Sequence, residues 1–131
     1  MTGINNLDRL MQEMDPVLVG KRFVFCTVSK KVYGKKGLDY ILVFKEAEGI
    51  TIVVDKDVAD KNKLPYEGIW SLITLNVHSD LSAVGFLAKI SEKLAAARIS
   101  VNVVSAYYHD HLFVPAEKTD EAMLILKSFS R

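Results

Sequence analysis

Short β-branched and aromatic runs, separated by turns and by amphipathic stretches, constrain the fold of this chain more than any other feature. Helical patterns precede the first of these runs and follow the third, the fourth and the last. The predicted order is αβββα followed by βαββα, which favours an α+β sandwich with helices over one face of a mainly antiparallel sheet. The predicted strands are 22–28, 40–44, 50–54, 69–77, 99–107 and 110–114.

Each longer helical segment has an apolar face for the core and a polar residue that can cap its first turn. Asn5 or Asn6 caps the first predicted helix, which ends at Asp15-Pro16 because a residue before proline disfavours helical backbone. Thr119 caps the last predicted helix. The predicted inner faces are Leu7, Leu10, Met11 and Met14, then Val84, Leu87, Ile90 and Leu94, and finally Ala122, Ile125, Leu126 and Phe129.

The second half of the chain has the order of a ferredoxin-like unit that lacks its closing strand. A complete unit is βαββαβ, and an open sheet edge tends to pair with another strand. We therefore expect the strand at 22–28 to complete the sheet of the second half. The predicted halves are 1–65 and 66–131. Within the first half, the segment 29–37 contains four lysines and two glycines, which predict an exposed loop.

Length, charge and cysteine content restrict the class of protein. The 131 residues suit one ordinary domain or two small ones, and half of them are hydrophobic. A formal net charge of +1 predicts no nucleic-acid partner, and no apolar run reaches the roughly 18 residues of a membrane span. The single cysteine, Cys26, cannot form an internal disulfide, so we expect a cytoplasmic location and a buried apolar role for it.

Residues 70–128 contain W-S-L-I-T-L-N-V-H-S-D-L-S-A-V-G-F-L-A-K-I, then A-A-A-R-I-S-V-N-V-V-S-A-Y-Y-H-D-H-L-F-V, then a short helix. In this order they resemble an ACT domain, the ligand-sensing module of aspartokinase and of amino-acid sensors. The first half, with F-V-F-C-T-V and F-K-E-A-E-G-I-T-I-V-V, looks like the N-terminal portion of small bacterial proteins with two ACT-like units. The loop 29–37 departs from such proteins in being longer.

The resemblance implies a ferredoxin-like protein of two ACT-like halves with a regulatory role rather than a catalytic one. It implies a small-molecule ligand, typically an amino acid, and a homodimer. No cofactor and no metal are implied. The alternative that the residues leave open is an interaction module that mediates assembly and needs no ligand.

The ligand site implied by the resemblance is the loop at 77–85, before the helix of the second half. A helix start offers free N–H groups to a carboxylate, and a glycine lets a ligand approach the backbone. Asp110 is the predicted partner of the ligand's ammonium group, with Glu46 and Glu48 as weaker candidates. The predicted site residues are His78, Ser79, Asp80, Ser82, Gly85, Asn102, Tyr107, His109 and Asp110.

Metal binding or acid–base catalysis by the histidines, and a binding role for the lysines, have less support. His109 and His111 would share one face of a strand, but zinc needs three or four protein ligands, and His78 is the only other histidine. Adjacent residues on a strand face opposite sides, so His109 and Asp110 are poorly placed as an acid–base pair. We therefore predict no metal site and no enzyme activity, and we interpret the lysines of 29–37 as solvated.

Overall fold

The structure is a computed structural model that describes residue 3 and residues 6–35 and 37–130. It has the predicted α+β order, with two short additional helices. The strands pair antiparallel in β1–β3, β2–β3 and β5–β6. In chain order the elements are α1 (Leu7–Glu13), β1 (Pro16–Val28), α2 (Lys30–Tyr33), β2 (Leu42–Lys45), β3 (Ile50–Asp55), α3 (Lys56–Lys61), β4 (Trp70–Leu75), α4 (Phe86–Ala96), β5 (Asn102–Ser105), β6 (Asp110–Pro115), the 3₁₀ turn η1 (Ala116–Lys118) and α5 (Thr119–Lys127).

The chain forms two compact units, one of residues 1–20 and 71–131 and one of residues 21–70. The first unit has its strands in the order β1-β4-β6-β5, and the second has the order β2-β3-β1. The strand β1 therefore contributes residues to both units. Every described helix is too short or too polar to cross a membrane.

The strand that completes the sheet of the first unit is β1, which contains the predicted residues 22–28 but begins earlier, at Pro16. Residues 16–20 of β1 belong to this unit, whereas residues 23–28 pair with β3. The residues just before β1 also bond to the residues that follow β4. The Asn76 N–H donates to the Asp15 carbonyl oxygen at 3.1 Å, and the Val77 N–H donates to the Met14 carbonyl oxygen at 3.2 Å. The strand starts at Pro16 rather than residue 22, so it has the length to serve both units.

The core of the first unit lies between its strands and the helices α1, α4 and α5. Its members are apolar and nearly inaccessible to solvent, which supplies most of the free energy that stabilises such a unit. The buried set is Leu10, Met11, Met14, Ile73, Leu75, Val77, Phe86, Ile90, Leu94, Ile99, Leu112, Val114, Ala122 and Leu126.

The second unit has its own smaller core, which includes the predicted buried Cys26. Burial raises the pKa of the Cys26 thiol, as expected for an apolar setting. The buried set is Val24, Cys26, Val28, Leu38, Ile50, Ile52, Val54 and Ala59.

The starts of three helices differ in how well they match the predictions. Asn6 is the cap of α1, since its side chain accepts from Arg9 N–H at 3.0 Å; Asn5 lies outside the described residues. Thr119 is instead the first residue of α5, and its hydroxyl donates to the Ala116 carbonyl oxygen because a 3₁₀ turn precedes the helix. Part of the loop predicted at 29–37 is the one-turn helix α2, which Ser29 caps by accepting from Val32 N–H at 3.3 Å.

The inner face of α4 begins later than predicted. Val84 is 86% exposed, because Gly85 adopts a left-handed backbone with φ of 89° and the helix starts only after it. The buried face is formed by Phe86, Ile90 and Leu94, which follow one another at intervals of four residues. Leu87 is half-buried.

The two units repeat one local design at the strand that precedes the last helix. The strands β3 and β6 have the same alternation of buried and half-buried residues along their six positions. The final residues, Asp55 and Pro115, share φ of −54° and ψ of 136°, and a helical turn follows each of them. Each unit thus contains a β-hairpin that leads into a short helix at a matched position.

Leu94→Ala should reduce the free energy of unfolding by about 2–5 kcal/mol, because it removes a fully buried side chain and leaves a cavity. Leu124→Ala is the matched control, since Leu124 lies on α5 of the same unit and is 72% exposed. Urea unfolding of both variants measures the difference. Equal losses in the two variants would contradict the assignment of the core.

Candidate ligand site

A pocket lies in the first unit where the loop after β4 meets the start of α4 and the β5–β6 hairpin. Its volume is about 130 Å³. The β4–α4 loop contributes Ser79, Asp80 and Gly85 to its wall, and the hairpin contributes Ser105 and Asp110. The structure therefore brings together residues that the sequence analysis assigned to one site from two distant segments.

Asp110, the first residue of β6, is the most unusual group in this pocket. Its side chain is only 6% exposed, and Ser79, which is 7% exposed, donates its hydroxyl proton to Asp110 Oδ2 at 2.7 Å. None of the ion pairs among the described residues involves Asp110. A buried carboxylate with one neutral donor and no cationic partner is energetically unfavourable, and a bound cation would relieve that cost.

Asp80 also lines the pocket, but its carboxylate is already engaged within the loop. Asp80 Oδ1 accepts from the Ser82 backbone N–H at 2.9 Å and from the Ser82 hydroxyl at 2.8 Å. The backbone bond first, and then the hydroxyl bond, lower the pKa of Asp80. These two residues therefore shape the loop, and Ser82 itself is exposed outside the pocket wall.

The start of α4 forms the other side of the pocket. Gly85 stands at the N-cap position, where no side chain hydrogen-bonds the first turn. Its left-handed φ is one that residues with side chains rarely adopt, which explains a glycine here. The backbone N–H groups of the first turn lie at residues that line the pocket, including Phe86 and Leu87. An uncapped helix start of this kind suits an anionic group.

Gly3 is a site residue that the sequence analysis missed. A Cβ atom placed on it would lie 2.6 Å from the His78 carbonyl oxygen and 2.7 Å from the Asp80 nitrogen. Only a glycine can lie this close to the backbone of the loop, so Gly3 packs directly against residues 78–80. No periodic pattern or motif in the sequence could have indicated this contact.

The remaining predicted residues do not line the pocket. The ring of His78 lies 5.7 Å from that of Tyr108, centroid to centroid. His109 Nδ1 is 3.3 Å from the Val77 carbonyl oxygen. Because a carbonyl oxygen only accepts, Nδ1 is the donor in this hydrogen bond. Tyr107, in the hairpin turn, and Asn102, at the start of β5, are both exposed.

The histidines make separate contacts rather than a shared metal site. His111 Nδ1 is 3.0 Å from Thr74 Oγ1, on the neighbouring strand, whereas His109 contacts Val77. The described part of the chain contains no cluster of three His, Cys, Asp or Glu side chains that could hold a metal ion. Burial, followed by the nearby His109, lowers the pKa of His111, while Asp110 acts in the opposite direction.

The geometry defines a class of α+β proteins with paired ferredoxin-like units and a pocket at a helix start. The model of an ACT domain matches residues 2–71, and a second ACT domain model matches residues 67–128. The chain belongs to the ACT domain family. Comparison with curated protein sequences gives no significant match.

Solved structures share this fold over nearly the whole chain. A Vibrio cholerae protein of unknown function, a possible transport protein, is 42% identical, with a TM-score of 0.87 over 95% of this chain and 96% of that one. The ligand-free regulatory subunit of aspartate kinase from Thermus thermophilus is 12% identical, with a TM-score of 0.70 over 92% of this chain and 99% of that one. At 12% identity, the similarity to the aspartate kinase subunit shows a shared fold and nothing further. The ACT architecture resembles regulatory rather than catalytic domains.

The lowered pKa of His111 predicts a loss of stability on acidification. The unfolded chain, with a histidine pKa near 6.5, binds the proton more readily than the folded chain. The contribution of His111 to the free energy of unfolding is therefore present above pH 6.5 and falls as the pH drops from there toward the folded pKa. Thermal unfolding of His111→Gln should depend less on pH than that of the wild type, and parallel pH curves would contradict this.

Proposed function

We propose that this protein is a non-catalytic regulatory protein that binds a small amino acid, or a similar zwitterion, in the pocket between the β4–α4 loop and the β5–β6 hairpin. The observation that carries the proposal is the buried Asp110 carboxylate in the pocket wall, which accepts a hydrogen bond from Ser79 but forms no ion pair with any described residue. The ACT family membership supports a regulatory role with a small-molecule ligand.

The ligand's ammonium group would pair with Asp110. The Ser79 hydroxyl occupies Oδ2 of that carboxylate, and Oδ1 has no hydrogen bond to the described residues. No side-chain oxygen in the described residues is both fully buried and unpaired, so Oδ1 keeps some solvent exposure. An ammonium donor placed there forms a charge-assisted hydrogen bond, which is stronger than a neutral one.

The ligand's carboxylate would bind at the start of α4. This helix has 11 residues, and its first turn has no side-chain cap. Its free N–H groups and the partial positive charge of the helix terminus favour an anion. Asp110 and the helix start thus offer opposite charges on two sides of one small pocket, which is the arrangement that a zwitterion requires.

The size of the pocket restricts the ligand. A volume of about 130 Å³ is small for a ligand pocket. Pockets for drug-sized ligands begin at about 300 Å³. We therefore propose an amino acid with a very short side chain, such as glycine, alanine or serine.

A second candidate function is an interaction module that assembles without ligand. Leu81 and Val84, in the loop beside the pocket, are 63% and 86% exposed. Apolar side chains exposed this far can be covered by a second copy of the chain, consistent with a homodimer. On this alternative Asp110 has a structural role only, and added amino acids change neither stability nor assembly.

Thermal-shift measurements with glycine, alanine and serine at millimolar concentration test the proposal. Selective binding to the folded state should raise the melting temperature of the wild type. Ligand at 100 times its Kd stabilises the folded state by about 2.7 kcal/mol. Asp110→Asn should abolish the shift while preserving the hydrogen bond from Ser79. The variant without ligand should be at least as stable as the wild type, because a buried charge is removed.

Asp80→Asn is the matched control. Asp80 lines the same pocket, but Ser82 donates two hydrogen bonds to its Oδ1 and holds it within the loop, so this variant should keep most of the ligand response. An absent shift in the wild type, or an equal shift in Asp110→Asn, would contradict the proposal and favour the interaction module.

A further inference from the structure

A second pocket lies in the unit of residues 21–70, at the place that corresponds to the first pocket within the repeated design. It is formed by the end of β1, the helix α2 and the turn of the β2–β3 hairpin. We propose that this pocket binds a second and different ligand, an organic anion whose charged group contacts Lys30 and Lys45 and whose non-polar body packs on Tyr33. Its volume is about 510 Å³, well within the range of small-molecule pockets.

The cationic groups of this pocket form no ion pair with any described residue. Lys30 and Lys45 both line the pocket, and neither belongs to any ion pair among the described residues. Lys45 Nζ lies 6.0 Å from the centre of the Tyr33 ring, the outer limit of a cation–π contact. Two lysines in the wall of a pocket that also contains Tyr33 suit a carboxylate or a phosphate with an attached ring.

Two glutamates also line the pocket, but Glu46 is held away from the lysine side. Side chains alternate along a strand, and Val43 packs against the core of this unit, so Lys45 projects on the same face. The Glu46 carboxylate accepts a hydrogen bond from the hydroxyl of Thr51, whose neighbours Ile50 and Ile52 face the core. Glu46 is therefore drawn toward the opposite face.

Glu48, in the hairpin turn, is the remaining acidic residue of the pocket wall, against two lysines. The non-polar part of the wall consists of Val28 and Ile50, which belong to the buried core, and of the Tyr33 ring. That ring is fixed by Tyr40, at 5.4 Å between ring centres. A ligand ring can pack on this surface while its anionic group reaches the lysines.

The two pockets differ in charge as well as in size. The first pocket is lined by Asp80 and Asp110 and by no basic residue among those described, whereas the second has two lysines. The same place in the repeat is thus adapted to a cationic group in one unit and to an anionic group in the other. The second pocket does not depend on the amino-acid site proposed above.

Calorimetric titration with benzoate, phenyl phosphate and inorganic phosphate tests this inference. At least one of the two aromatic anions should bind, and the one that binds more tightly identifies a carboxylate or a phosphate as the preferred group. Lys45→Gln should weaken that binding by about tenfold, the effect of one charge-assisted contact. Binding of neither aromatic anion at millimolar concentration, or inorganic phosphate binding as tightly as phenyl phosphate, would overturn the inference.

Lys31→Gln is the control for general charge attraction, because Lys31 is exposed on α2 next to Lys30 but does not line the pocket. It should bind the aromatic anion as the wild type does, and a loss equal to that of Lys45→Gln would overturn the inference. Asp110→Asn should also bind it normally. A loss in that variant would show that the anion does not occupy a separate site, whatever the outcome for amino acids.

Discussion

The hydrogen bond from the Ser79 hydroxyl to the buried Asp110 carboxylate is the interaction on which the site depends. It connects the loop before α4 to the first residue of β6 and so fixes both walls of the first pocket. A hydrogen bond to a charged group contributes about 1.5–3 kcal/mol. The bond positions Asp110 and engages only its Oδ2, so Oδ1 remains for the cationic group of the proposed ligand.

The order of strands and helices could be predicted because each element carries a local periodicity. Ile90 and Leu94 follow the helical repeat and are buried, and Asn6 has the side chain that a helix start requires. The extension of β1 back to Pro16 could not be predicted, since residues 17–22 are exposed or half-buried and show no clean alternation. The position of Val84 depended on the backbone of Gly85, which local pattern does not reveal.

The proposed site was predictable only in part. A cap-rich loop before a helix, together with the resemblance to ACT domains, placed Ser79 and Asp110 in one site although 31 positions separate them. The contact of Gly3 with residues 78–80 depends on tertiary packing alone. The second pocket escaped the sequence analysis because the segment 29–37 has the composition of a solvated loop, and only the fold brings Tyr33 and Lys45 together.

The two pockets occupy matched places in a repeated hairpin-and-helix design, yet their charged residues differ: the first is lined by two aspartates and the second by two lysines and two glutamates. A ¹H–¹⁵N NMR titration of the protein with alanine tests the central claim about Asp110 most directly. The account predicts saturable shift changes concentrated in the amides of residues 79–88, 105 and 110. Unchanged spectra, or changes confined to other parts of the chain, would contradict it.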